Sequence, residues 1–424
     1  MRSARKSSRR AATQPLPDGL DPTADSTAAA PVEPRLIDTG PPHAGHHVYV
    51  HVPYCRDRCT YCAFTTVPNA VGQHREFTDA ILAEWRATPR ANAPRTLSLG
   101  GGTPGLLPDN HLQRIIHTIT SGYPHAHTVE TTLEVNPVNV SMASLSAWRD
   151  SGVTRLSIGV QTFHARVLKS FARLHSPDDA RRALSMIAEH WGSSWSSDLL
   201  VGWGGQSAAS LHAELDELLA FRPPHVSIYG LTVEPGTPLE RLHKRGPGAL
   251  VDDDTAAALD EVWTGRLEQD GLERYEVSNF ARPGQRCLHN QAYWRGQAYL
   301  GLGPGASSSE GQLRWSNRRD VNAWISAARS GRSTREHVER LSPAQRLLEV
   351  LGSGLRTREG LSAEALDRRF SPAWRAPVRQ AAAQLLAHGL IHLDDRSIRL
   401  ADAQLSRADR ILIELVQRWP GLPE

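Results

Sequence analysis

The 424-residue chain is 40% hydrophobic and carries a formal charge of only +3. That is enough apolar material for one large core or two domains, and too little charge for a nucleic-acid footprint, since much of the positive excess sits in Arg2, Arg5, Lys6, Arg9 and Arg10. No apolar run approaches the roughly 18 to 20 residues that span a bilayer, and four cysteines, three of them within eight residues, make a poor disulfide framework. A cytoplasmic protein that binds metal through cysteine is the expectation.

Residues 1–44 are rich in Ala, Pro, Ser, Thr, Asp and Arg, without apolar periodicity, and are expected to form a disordered leader. A transit peptide is the alternative, weakened by Asp18, Asp21 and Asp25. His43, His46 and His47 read as a solvated linker. From residue 46 short β-rich runs appear at 47–52, 96–101, 131–137, 155–161, 196–202 and 225–231. Amphipathic segments separate them at 73–86, 109–120, 141–150, 177–190 and 207–220. Strands alternating with helices imply a parallel sheet with right-handed crossovers, curved into a partial (β/α)6 barrel.

Alternation inside the strands sorts their faces. Val48, Val50 and Val52 oppose Tyr49 and His51; Leu133 and Val135 oppose Glu134 and Asn136; Leu156, Ile158 and Val160 oppose Ser157, Gly159 and Gln161; Leu199 and Val201 oppose Asp198. With the aliphatic faces against the helices, Tyr49, Glu134, Gln161 and Asp198 point inward, near the strand ends where barrels place their sites. After residue 235 the parallel alternation ends and the chain is expected to turn helical around a Gly-rich segment, 301–306. From about 340, helices at 343–352, 362–370 and 375–388 and two short β-like runs near Asp394 and Asp395 suggest an α+β, winged-helix-like module. The expected parts are the leader at 1–44, a barrel core at 45–235, an extension at 236–335 and the module at 336–424.

The strongest chemical signal is Cys55-Arg-Asp-Arg-Cys59-Thr-Tyr-Cys62 directly after the first strand. Spacings of three and then two residues let one loop wrap three thiolates around a cubane, leaving a fourth iron open to chelate a small molecule. A zinc site would want a fourth Cys or His at matched spacing.

Cys-x3-Cys-x2-Cys after the first strand of an α/β barrel resembles the signature of radical S-adenosylmethionine (SAM) proteins. VYVHVPYC, LGGGTPGLL, LEVNP, RLSIGVQTF, YEVSNFARPG and CLHNQAYWRGQAYLGLGPGA resemble the group that contains oxygen-independent coproporphyrinogen III dehydrogenase and the haem chaperones. The resemblance implies a [4Fe-4S] cluster on Cys55, Cys59 and Cys62, with the SAM amino and carboxylate groups on the open iron. It implies that Gly101, Gly102 and Thr103 line the methionine end and that Glu134, Gln161, Arg173 and Asp198 grip the amino-acid and ribose parts. Tyr49 is then expected near the cluster and Tyr61 beside the adenine. The group usually has Gly-Leu-Pro-Gly after the fifth strand; Gly202-Trp203-Gly204-Gly205 stands here.

Two features separate members of that group. The dehydrogenase has a fourth cysteine two residues after the third, where Phe64 stands here; the chaperones lack it and carry His-Asn-x-x-Tyr-Trp, matched by His289, Asn290, Tyr293 and Trp294. The resemblance therefore implies haem contact, with His289 as axial ligand and flanking aromatics against the porphyrin. Read without it, His289 is a hydrogen-bonded core histidine. Two functions stay open: a haem chaperone handing haem to respiratory acceptors with transient membrane contact, or a radical enzyme acting on a porphyrinogen propionate. Cys287 is read as a small core cysteine rather than a second ligand. The glycines at 301, 303 and 305 lack the context of a dinucleotide loop.

Overall fold

The computed structural model describes residues 47–419 except 69–71, 89–93, 122–127, 193 and 247. The expected leader lies outside the described residues. Six parallel strands form where β-branched and aliphatic residues alternate with polar ones: β1 His47–Val52, β2 Thr96–Gly101, β3 Glu130–Val135, β4 Arg155–Gln161, β5 Trp195–Val201 and β6 His225–Gly230. Helices His74–Ala87, Asp109–Thr120, Met142–Asp150, Pro177–His190 and Ala208–Leu219 cross between them. Val48, Val50, Val52, Leu97, Leu99 and Leu133 have no exposed surface, which confirms that the aliphatic faces meet the helices.

Three short strands, β7 Glu273–Arg274, β8 Asn279–Ala281 and β9 Leu300–Leu302, extend the sheet to nine in the order β9-β1-β2-β3-β4-β5-β6-β8-β7. β8 runs antiparallel to β6, while β9 pairs parallel with β1. The sheet does not close, so the barrel is partial. The expectation that the chain turns helical after residue 235 holds for Asp253–Gln269, Leu288–Trp294 and Val321–Arg329 and is corrected where these strands fall. Gly301 lies in β9, and Ser307–Glu310, Leu313–Asn317 and Arg335–Arg340 form an antiparallel sheet beside it. His47 is also corrected: it is a buried strand residue with Nδ1 2.8 Å from Thr96 Oγ1, not part of a solvated linker.

One apolar cluster runs from Val48 to Ala328, so Leu267, Phe280 and Trp324 share the barrel's core. A second, from Leu347 to Trp419, belongs to helices Pro343–Gly354, Ala363–Phe370, Arg375–Ala387 and Ala408–Gln417. With the strands Leu361–Ser362, Ile391–Leu393 and Ser397–Leu400 these make a winged-helix-like module. Among the described residues no helix is long and apolar enough to cross a membrane.

Candidate cofactor site

The loop after β1 lays Cys55, Cys59 and Cys62 along a cavity of about 630 Å³ at the C-terminal ends of the parallel strands. All three are free thiols. Burial pushes Cys55 up to about 11 and raises Cys62, so both stay protonated until a cation displaces the proton. Thr103 Oγ1 stands 3.9 Å from Cys55 Sγ, and Arg173 Nη1 lies 3.6 Å from Cys59 Sγ. Among the described residues no three His, Cys, Asp or Glu side chains are close enough to share one metal ion. One loop presents Cys55, Cys59 and Cys62 to the same cavity, a donor set of three thiols that fits three irons of a cubane and leaves the fourth open.

The facing wall is polar and tightly packed. Gly101, at φ +104°, lies so close to β1 that a Cβ there would sit 2.4 Å from the His51 ring. Only glycine allows that approach, and its N–H donates to Glu134 Oε2 at 3.2 Å. Burial, and then the Asp198 charge, pushes Glu134 up to about 7. Ser157 Oγ donates to Asp198 Oδ2 at 2.9 Å, while Oδ1 of the same carboxylate is buried without a partner. An open buried acceptor is costly until a donor arrives, and a ribose hydroxyl is a suitable one. Arg173 Nη2 donates to Asn136 Oδ1 (2.6 Å) and Gly159 O (2.7 Å), and Asn136 Nδ2 donates to Thr103 Oγ1 at 3.0 Å. A register shift in β4 leaves Gln161 at φ +67°, on the cavity lining. Tyr61 also lines the cavity, edge-on to Phe171 at 5.1 Å.

Tyr49 departs from this grouping. It lines a second cavity, of about 680 Å³, with its hydroxyl 3.1 Å from His51 Nδ1. Tyr293 lines that cavity too, and Ala63 and Phe64 line both. Behind Tyr293, His289 is 4% exposed, with Nδ1 2.7 Å from Thr96 Oγ1 and Nε2 2.9 Å from the Tyr293 hydroxyl. Burial, then His47, holds its imidazole down to about 3, so the ring is neutral and both nitrogens are engaged. The Leu288 and His289 N–H groups donate to Glu130, at 2.9 Å each, which fixes the start of the helix Leu288–Trp294. Cys287 Sγ lies 3.5 Å from the same carboxylate, and burial pushes the thiol up to about 12. The Trp294 indole N–H is buried without an acceptor.

Residues 49–218 match the model of the radical SAM superfamily, and residues 341–403 match the HemN C-terminal domain. The heme chaperone HemW of Synechocystis is 34% identical over 326 residues, 74% of this chain and 78% of that protein. The mitochondrial radical S-adenosyl methionine domain-containing protein 1 of Danio rerio is 34% identical over 394 residues, 88% of each chain. The chain belongs to the HemW family of radical SAM proteins. The Escherichia coli coproporphyrinogen III oxidase HemN, a radical SAM enzyme, shares the fold, with a TM-score of 0.75 over 90% of both chains at 19% identity.

For a HemW-family chain the departing loop after β5 has a local explanation. Trp203 packs among Phe171, Leu200, Leu231 and Leu239, and Gly204 N donates to Ala249 O at 3.0 Å. A Cβ on Gly204 would stand 1.8 Å from Gly248 O, so this contact requires glycine. None of residues 202–205 is among the described residues lining the cysteine cavity. Asn136 and Ser157 are cavity residues that the sequence alone did not single out. Alternation put both on the polar faces, Asn136 in the quoted LEVNP stretch and Ser157 in β4, without naming either as a site residue.

Proposed function

We propose that the chain is a haem chaperone that holds a [4Fe-4S] cluster on Cys55, Cys59 and Cys62. SAM is gripped by Gly101, Gly102, Thr103, Glu134, Gln161, Arg173 and Asp198, with Tyr61 on the adenine side. Haem binds at the segment His289–Trp294 and passes, in the cytoplasm and through transient membrane contact, to respiratory acceptor proteins. The observation that carries this reading is the likeness to proteins named heme chaperone HemW, at 34% identity across most of both chains. The convergence of the cysteines with Arg173, Glu134 and Asp198 on one cavity supports the cofactor part. The four-part division proposed from sequence is kept, with the extension sharing the barrel's core.

A bound cluster would supply an iron that chelates SAM; the chain's own groups bind and orient it. Arg173 offsets negative charge beside Cys59, Asn136 keeps Arg173 and Thr103 aligned, and Glu134 and Asp198 accept hydrogen bonds. At the haem segment Tyr293 meets the second cavity directly, and His289 reaches an iron only when the Tyr293 hydroxyl leaves its Nε2. The dehydrogenase alternative expects a fourth sulfur where Phe64 stands, 64% exposed. Anaerobically reconstituted protein titrated with haemin, then mixed with an apo acceptor, should bind stoichiometrically and transfer haem. Consumption of coproporphyrinogen III with SAM and a reductant, without specific haem binding, would overturn the reading.

A further inference from the structure

The second cavity lies between the open edge of the barrel and the first helix of the C-terminal module, and its two sides differ in chemistry. One side is aromatic: Tyr49, Tyr293 and Tyr299 line it, the last two packed edge to face at 4.6 Å. On the other side Arg346, Arg319 and Glu349 line the cavity, and Arg314 and Arg369 stand beside them without lining it. Arg346 Nη1 lies 2.5 Å from Glu349 Oε2 and its Nη2 donates to Gly296 O at 2.6 Å. Arg314 Nε takes the same Glu349 carboxylate at 2.7 Å, so one anion serves two cations. Arg369 adds a third guanidinium on Gly296 O at 3.0 Å, and among the described residues no carboxylate lies within ion-pair distance of it. Arg319 is exposed on the cavity lining, donating to Ala63 O at 3.1 Å.

A buried excess of guanidinium charge is costly unless an anion joins it. Burial, then Arg314, pushes Arg346 down to about 10, the direction expected for a cation crowded by cations. Tyrosines facing the guanidinium groups of Arg319 and Arg346 fit a flat apolar ligand that carries carboxylates along one edge. Gly296, on which Arg346 and Arg369 converge, follows the C-cap Arg295 of the helix that bears His289, Tyr293 and Trp294, so these arginines are fastened to that segment.

Building on the haem-binding reading, we propose that this cleft is the haem pocket and that Arg319 and Arg346 bind the macrocycle's propionate carboxylates. The C-terminal module is then half of the binding site rather than an appendage, because Arg346 comes from its first helix.

The test compares haemin with haemin dimethyl ester, which keeps iron and ring but has no free carboxylate, on full-length protein. The wild type should bind haemin at least about tenfold more tightly than the ester. Arg319→Glu should weaken haemin by about tenfold or more and leave the ester unchanged, while Arg319→Lys retains most of the preference. Arg319 is exposed, so these variants keep the fold even if Arg346→Gln, which also loses the Gly296 bond, does not. Equal affinity of wild type for haemin and ester, or an unchanged haemin titration in Arg319→Glu, overturns the pocket assignment and leaves the haem reading standing. A wild type that binds no haemin removes both.

Discussion

The two cavities share a wall at Ala63 and Phe64, yet their side chains are in opposite states. In the cysteine cavity bonding capacity is left over: three free thiols, a Glu134 pushed up to about 7, and an Asp198 oxygen without a donor. Beside the second cavity the histidine of the motif has nothing left over, since Thr96 and Tyr293 take both ring nitrogens. Unspent hydrogen-bonding capacity marks a place prepared for a ligand, whereas a satisfied buried histidine marks a joint of the scaffold. His289 therefore acts first as a positioning residue for Tyr293, and any contact with iron requires that joint to open.

The largest break in this comparison is expected from the thiols. Cys55→Ala, Cys59→Ala and Cys62→Ala should each lose nearly all bound iron and acid-labile sulfide, while Cys287→Ala, whose sulfur faces Glu130 instead, keeps them. Iron and sulfide analysis decides it; loss of iron in Cys287→Ala would refute the assignment.

Next come the effects on stability. His289→Ala removes a ring bonded at both ends and should cost about 2–4 kcal/mol, against about 1–2 kcal/mol for Tyr293→Phe, measured by denaturant unfolding. A His289→Ala protein as stable as wild type would show that the ring is not a joint. The two variants also separate the haem roles. Tyr293→Phe frees Nε2 and should strengthen any His289 signature in the Soret region.

The pH dependence is smaller. His289 titrates near 3 in the folded chain against about 6.5 unfolded, so its folded pKa is depressed. The unfolded state binds the proton more readily, so stability is complete above about 6.5 and is lost as pH falls toward 3. At pH 5 the loss is about 2 kcal/mol, and His289→Gln should flatten that part of the profile. A flat wild-type profile between pH 7 and 5 would contradict the burial argument.

The smallest effect is expected at the shared wall. Phe64→Ser should change stability by no more than about 0.5 kcal/mol, because the ring is mostly exposed. It should weaken haemin binding a few-fold while leaving the iron content unchanged.

The barrel was legible because its strands write their faces into two-residue alternation: β1, β2 and β4 fall on the expected residues. The cysteine cavity was legible for the same reason, since inward residues at strand ends converge once the sheet curves. β9 and the antiparallel sheet were not, because Ser307, Ser308 and Ser309 carry little strand preference, and partners distant in sequence set their pairing. The second cavity was invisible for a related reason. Its walls come from β1, the loop at Phe64, Tyr299, Arg319 and the helix bearing Arg346, and no local pattern joins them. Tyr49 shows the limit of alternation, which gives the face of a strand but not which of two neighbouring cavities a side chain enters.

β3 carries Glu130 at its start and Glu134 four residues on, one carboxylate fixing the helix Leu288–Trp294 and the other lining the cysteine cavity. At roughly 3.3 Å per residue the two anchor points lie about 13 Å apart along one strand held on both sides by neighbours. That strand works as a ruler. Loops may vary in length across the molecule, but the spacing between the two sites is graduated in peptide units and cannot drift.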